Sequence, residues 1–233
     1  MPIFSNLVRD IIRVFEPARS PMINRSFDVF GGSNITTAII GAGAIGHAIA
    51  TQFSRKNIEV MLANSKDPSS LSEIVRDLGD KIHAVTAEIA LAADVVVLAI
   101  PFGAIPGLLT KAPGDWNGRV IVDASNAIEF PAFKPADLGG RLSTEIVASL
   151  APGARVVKAF NTIPARTLSE VPTQTGGRRI VVLSGDDAEA RSDISSLIER
   201  LGFAALDLGT LHQASHLQQF GGKLVALDLL RVG

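Results

Sequence analysis

From residue 35 onward, short and mainly apolar runs alternate with longer amphipathic ones. Residues 35–40, 58–63, 82–85, 94–100, 120–123 and 154–158 read as strands rich in apolar residues without a strict alternation, as in strands buried on both faces. Helical spacing marks residues 44–56, 68–78, 86–92 and 143–150. Past residue 161 the alternation continues, with a strand at 179–184, a helix at 187–201, a strand at 203–208 and a helical tail. Such alternation predicts an α/β fold with a doubly wound, mainly parallel sheet and a small C-terminal α/β extension.

Residues 1–33 break this rhythm. Phe4, Leu7, Val8, Ile11, Ile12 and Phe15 recur at helical spacing, with Arg9, Asp10, Arg13 and Glu16 opposite. Pro17 and Pro21 then end the pattern. This predicts an N-terminal extension, an amphipathic helix docked on the domain or a partner subunit; a natural start at Met22 would make it dispensable, and a membrane-surface helix ranks last. The division expected is residues 1–33 as extension, 34–160 as the nucleotide-binding domain, and 161–233 as the C-terminal segment carrying substrate pocket and dimer contacts.

Composition narrows the chemistry. With 47% hydrophobic and 19% charged residues, the chain can bury a real core without staples. The net charge of −1 gives no general attraction to nucleic acid or anionic membrane. No run approaches the roughly 18 apolar residues of a membrane span, and no secretory signal is evident, so a cytoplasmic protein is expected. The absence of cysteine excludes disulfides, thiolate catalysis and cysteine-ligated metal. His212 and His216 would share a helical face, but a third ligand is not evident, so no metal site is expected. No GxSxG elbow suggests a hydrolase.

The strongest motif is Gly41-Ala42-Gly43-Ala44-Ile45-Gly46, set between a predicted strand and a predicted helix. Gly41 would make the tight turn, Gly43 would let a pyrophosphate approach the backbone, and Gly46 would let the helix pack close. The helix start at Ala44 and Ile45 would offer free N–H groups to the phosphates. In this context the six residues predict a Rossmann-type dinucleotide site rather than an ordinary glycine turn. Where an NAD enzyme places an acid, this chain has Asn64-Ser65-Lys66-Asp67. A hydroxyl and a cation suit a ribose 2′-phosphate, so NADP(H) is the expected cofactor, with Asp67 as N-cap before Pro68. The later strand tips bring Ile100, Pro101 and Phe102, then Ser125 and Asn126, then Asn161, toward the same edge and the nicotinamide side. Lys158, at a strand end, reads as an exposed or ion-paired lysine.

The segments at 39–46, 62–66, 96–101 and 156–162 resemble the NADPH-dependent deazaflavin-coenzyme reductase family, a likeness running from about residue 34 to the C-terminus. The resemblance implies a hydride shuttle between nicotinamide and a stacked deazaflavin ring, with a flavin-like acceptor as the nearest variant. It implies no dedicated acid–base side chain, since the cofactors carry the chemistry. It also implies a 2′-phosphate site at Ser65 and Lys66, where the family usually has Ser-Arg, and a second ring near residues 126–142. Leu217, Leu224, Leu227 and Leu230 suit either a homodimer contact or closure of the monomer's own core. An NADPH-binding sensor without turnover, or an NADP dehydrogenase of another small substrate, remains the alternative.

Overall fold

The computed structural model describes residues 35–232, so the predicted N-terminal extension lies outside the described residues. Strands β1 (Thr37–Ile40), β2 (Val60–Ala63), β3 (Ile82–Ala84), β4 (Val95–Leu98), β5 (Val120–Asp123) and β8 (Arg155–Ala159) are parallel, in the spatial order β3-β2-β1-β4-β5-β8. Every residue of β1, β2, β4 and β5 is buried, which is why those runs are apolar but for Thr37 and Asp123. Side chains alternate along each strand, so Ala38 and Ile40 feed one core and Ile39 the other. On one face Ile39 and Val97 meet Phe53 and Phe203; on the other, Ile40 and Ile121 meet Trp116 and Val147.

The helix Ala44–Arg55 buries Ala48, Ile49 and Phe53. Phe53 is wholly buried, which stabilises the domain by about 1.5–3 kcal/mol. Gln52 on the same helix donates to Leu168 O (2.6 Å) and Glu170 O (2.8 Å), pinning the short helix Ala165–Ser169 against it. Past β2 the predicted helix divides into a 3₁₀ turn, Pro68–Leu71, and an α-helix, Ser72–Leu78. Asp67 caps the turn by accepting from Ser69 N at 2.9 Å, as the sequence suggests. At the amino edge of β5, Trp116 is 4% exposed and lies under the Arg119 guanidinium, 4.1 Å from the ring centroid.

After β8 the sheet reverses. Strand β10 (Gly177–Gly185) runs antiparallel to β8, and β11 (Ala204–Asp207) runs parallel to β10. Leu183 pairs with Ala159, the last residue of β8. Residues 177–182 therefore continue about 20 Å past the carboxyl edge of the parallel strands, at 3.4 Å per residue. Two short strands, β9 (Thr173–Gln174) and β12 (Leu230–Arg231), flank this projecting portion. Arg179 is buried there and holds Asp228 (3.0 Å) and Glu170 (2.7 Å), tying the C-terminal strap to β10.

Elements absent from the sequence reading are small: the helix Ile105–Leu109, the helix Ala165–Ser169, β9, β12, and a hairpin of β6 (Ile128–Glu129) and β7 (Lys134–Pro135). Two-residue strands are too short to display a period. No helix among the described residues is long and apolar enough to cross a membrane.

Candidate functional site

The chain turns from β1 into the helix Ala44–Arg55 at the point where β2 and β4 lie on opposite sides of β1, the topological switch point of the sheet. Gly41 has φ +111°, and a Cβ there would stand 2.2 Å from Ala99 O. A Cβ on Gly46 would stand 1.7 Å from Gly41 O, so the helix packs against the turn with no room for a methyl. Gly43 is different: nothing lies within 4 Å of its would-be Cβ, and the loop is open above it. No side chain caps the helix and its first turn holds no acid, so the N–H groups of Ala44 and Ile45 face outward without a competing anion. Two glycines are demanded by the protein's own packing. The third leaves space that a pyrophosphate would fill.

At the tip of β2, Asn64 Oδ1 accepts from Lys66 N (2.8 Å) and Asn64 Nδ2 donates to Ser70 Oγ (3.0 Å). Asn64 is thus a brace for the turn, and it leaves Ser65 and Lys66 exposed at its crest. The Asp67 carboxyl sits below its ordinary range because the Ser69 N–H donates to it. Its charge is turned toward the following turn.

The tips of β4, β5 and β8 complete the edge. Ile100 and Phe102 are half-buried and Pro101 is exposed, leading into the 3₁₀ turn Phe102–Ala104. Ser125 is buried, with its N–H (2.9 Å) and hydroxyl (2.6 Å) both on Asp123 Oδ1. Asn126 and Asn161 clasp each other: Asn126 Nδ2 donates to Asn161 O (2.9 Å) and Asn161 Nδ2 to Asn126 Oδ1 (3.0 Å). Asn161 also donates to Gln218 O at 2.7 Å. Phe160, wholly buried, takes the left-handed conformation (φ 63°), a bend that a bulky residue adopts only when its surroundings enforce it. Lys158 is buried rather than exposed, with its ammonium on Asp123 Oδ2 at 2.8 Å. The ion-paired alternative is the one the structure adopts, because a buried ammonium requires a counter-charge.

Beyond the β5 tip, the β6–β7 hairpin and the chain following it face the turn after helix Leu211–Gln218. Between them lies a cavity of about 250 Å³, lined by Ala127, Pro135, Leu138, Arg141, Leu142 and Phe220 among others. At the hairpin, Phe133 touches Phe220 edge-on (centroids 5.2 Å) and Phe130 (5.9 Å). Phe130 and Phe133 are 70% and 62% exposed, and Phe133 holds φ 50°. Gln218 and Phe220 are absent from the sequence-derived site, since only the fold brings Gln218 to Lys158, 60 positions earlier, and Phe220 to Phe133; no local signal marks them. Among the described residues, no three His, Cys, Asp or Glu side chains stand close enough to hold a metal ion.

Comparison with known proteins follows this geometry. Residues 36–127 match the family described as NADP oxidoreductase, coenzyme F420-dependent. A hypothetical protein of known crystal structure from Sinorhizobium meliloti is 53% identical, with a TM-score of 0.82 over 84% of this chain and 96% of that one. The F420-dependent NADP reductase of Methanothermobacter thermautotrophicus is 28% identical over 203 residues, 81% of this chain and 87% of that protein. Metalloreductase STEAP3 of Rattus norvegicus is 28% identical over 180 residues, 77% of this chain. The chain spans only 35% of that metalloreductase's length. Sheet order, glycine loop and these likenesses agree on a domain of the coenzyme F420-dependent NADP oxidoreductase family at residues 36–127.

Proposed function

We propose that this chain binds NADP(H) at the glycine loop and passes a hydride between its nicotinamide and a planar acceptor of the deazaflavin or flavin class. The observation that carries the reading is the loop itself, closed at Gly41 and Gly46 by backbone contact and open at Gly43 where a diphosphate would lie. Gly41, Gly43, Ala44, Ile45 and Gly46 would hold the pyrophosphate, and Ser65 and Lys66, braced by Asn64, the 2′-phosphate. Ile100, Pro101, Phe102, Ser125, Asn126 and Asn161 would border the nicotinamide, and the cavity at Leu142 and Phe220 the acceptor.

When bound, NADPH supplies the hydride; the acceptor takes both electrons, and its second proton comes from solvent. The protein's part is to orient the two rings and exclude water between them. Residues 34–160 would carry the nucleotide site and 161–233 the acceptor wall and dimer contacts, with the exposed Leu227, Leu230 and Val232 offered to a second copy. We assign the protein to the cytoplasm on the same reading, with a small-molecule acceptor and no nucleic acid.

The test is absorbance at the NADPH band with a panel of acceptors: deazaflavin coenzyme, FMN, FAD, a quinone and a ferric chelate. Turnover with deazaflavin or a flavin supports the assignment. Tight NADPH binding with no acceptor reduced would replace it with a sensor role. Reduction of the ferric chelate alone would align the chain with the metalloreductase likeness.

A further inference from the structure

The most deeply buried ion pair among the described residues is not in the glycine half. The Lys158 side chain is 3% exposed, and its partner Asp123 is wholly buried. The ammonium donates to Asp123 Oδ2 (2.8 Å), to Ser125 O (2.7 Å) and to Ser143 Oγ (3.4 Å). An ammonium has three N–H donors, so each is used inside the protein. The backbone carbonyl of the same residue accepts from Gln218 Nε2 at 3.0 Å, and Ser184 Oγ donates to Gln218 Oε1 at 2.7 Å.

These contacts reach both sides of the cavity. Ser125 precedes the Asn126–Asn161 clasp, and Ser143 lines the cavity at the start of the helix Ser143–Leu150. Gln218 precedes Gln219 and Phe220, which line the opposite side. We propose that Lys158 is a positioning residue: its ammonium sets the wall of the acceptor cavity that Ser125 and Ser143 build, opposite the wall that Gln218 ties to its backbone carbonyl, and the side chain itself reaches neither ligand. This rests on the reading of that cavity as the acceptor site. A buried ion pair is a costly way to fill space, and an apolar pair of similar volume would pack as well. What an apolar pair cannot do is hold Ser125 O and Ser143 Oγ at defined distances.

The experiment compares full-length wild type with Lys158→Met and Lys158→Arg. Three readouts are taken: NADPH affinity by its own fluorescence, steady-state reduction of FMN, and amide hydrogen exchange by mass spectrometry. For Lys158→Met we expect NADPH affinity within about twofold of wild type. The KM for FMN should rise about tenfold or more, and exchange should quicken in 125–143 while 217–222, tied to the backbone carbonyl that the variant keeps, and β1–β4 stay protected. Lys158→Arg, which keeps the charge, recovers part of the KM change. If Lys158→Met fails to fold, Asp123→Asn/Lys158→Met strands no charge and carries the same three readouts. Unchanged exchange in 125–143 overturns the proposal. So does faster exchange spread evenly over β1–β4 with NADPH binding lost, which would mark a general scaffold role. Should wild type bind NADPH yet reduce no FMN, the acceptor reading is what fails; the exchange comparison still decides the role of Lys158.

Discussion

The two halves of this sheet fix their geometry by different means. Around β1, β2 and β4 the geometry is set by backbone against backbone: Gly41 against Ala99 O, Gly46 against Gly41 O. Around β5, β8 and β10 it is set by side chains reaching across the fold, as Lys158 to Asp123, Asn161 to Asn126 and Gln218 to Ser184. A backbone-built site is stiff and tolerates almost no change at a few positions. A side-chain-built site can be re-cut by substitution while its strands stay in place, which suits a half that must match different acceptors on one cofactor scaffold.

Substitutions sharpen this contrast. The largest effect expected is at Asp123→Ala, which strands the buried Lys158 and should cost about 3–5 kcal/mol, read as a lowered denaturant midpoint at unchanged slope. Replacing both partners by apolar residues should cost far less. If the double variant is as unstable as the single one, the second half is not held by this pair.

Next comes Gly46→Ala, whose methyl would fall 1.7 Å from Gly41 O. Overpacking of this kind costs about 3 kcal/mol and should also abolish NADPH binding in a fluorescence titration. An intact affinity would show that the turn yields, contrary to the stiffness argued for this half. Gly43→Ala, with open space around its Cβ, should leave stability nearly unchanged and damage nucleotide binding alone.

Smaller again is Lys66→Ala. Loss of one charge-assisted contact of about 1.5–3 kcal/mol should weaken NADPH about tenfold or more relative to NADH. An equal loss for both nucleotides would remove the 2′-phosphate role. Asp67→Asn keeps the cap and deletes a nearby negative charge, so NADPH should tighten by at most about fivefold.

The smallest effect concerns pH. Burial raises the Glu199 carboxyl, but the Ala205 N–H together with Arg178 and Arg231 outweighs it, and its pKa lies below the ordinary value. A carboxyl depressed on folding stabilises above its unfolded pKa, and that contribution fades as pH falls through the folded value. Hydrogen exchange in β12 should therefore quicken in that acidic window, and Glu199→Gln should remove the dependence.

The same contrast decides what can be read from sequence. Residues 37–68 are legible because their determinants are local: a fully buried strand, three glycines at fixed spacing, an Asp-Pro cap. Lys158 could be read only as paired or exposed, since its partner stands 35 positions away and nothing local specifies it. Gln218 reaches Lys158 O across 60 positions and left no trace in any motif. Nor could the length of β10 be read. Its projecting portion opens with Arg178 and Arg179 ahead of the apolar residues 180–182, because it stands past the sheet edge and leans on ion pairs. Asn64 was read for the charge it lacks, whereas the fold uses its amide to brace the Lys66 turn.

Trp116 offers a practical consequence. It is the chain's one tryptophan, packed beneath Arg119 at the amino edge of β5, on the opposite side of the sheet from the glycine loop and the cavity. Its emission thus reports whether the sheet is assembled, independently of how well the carboxyl edge is shaped. A variant with native tryptophan fluorescence and impaired nucleotide or acceptor binding has a damaged site on an intact frame; one whose emission shifts red has lost the frame itself.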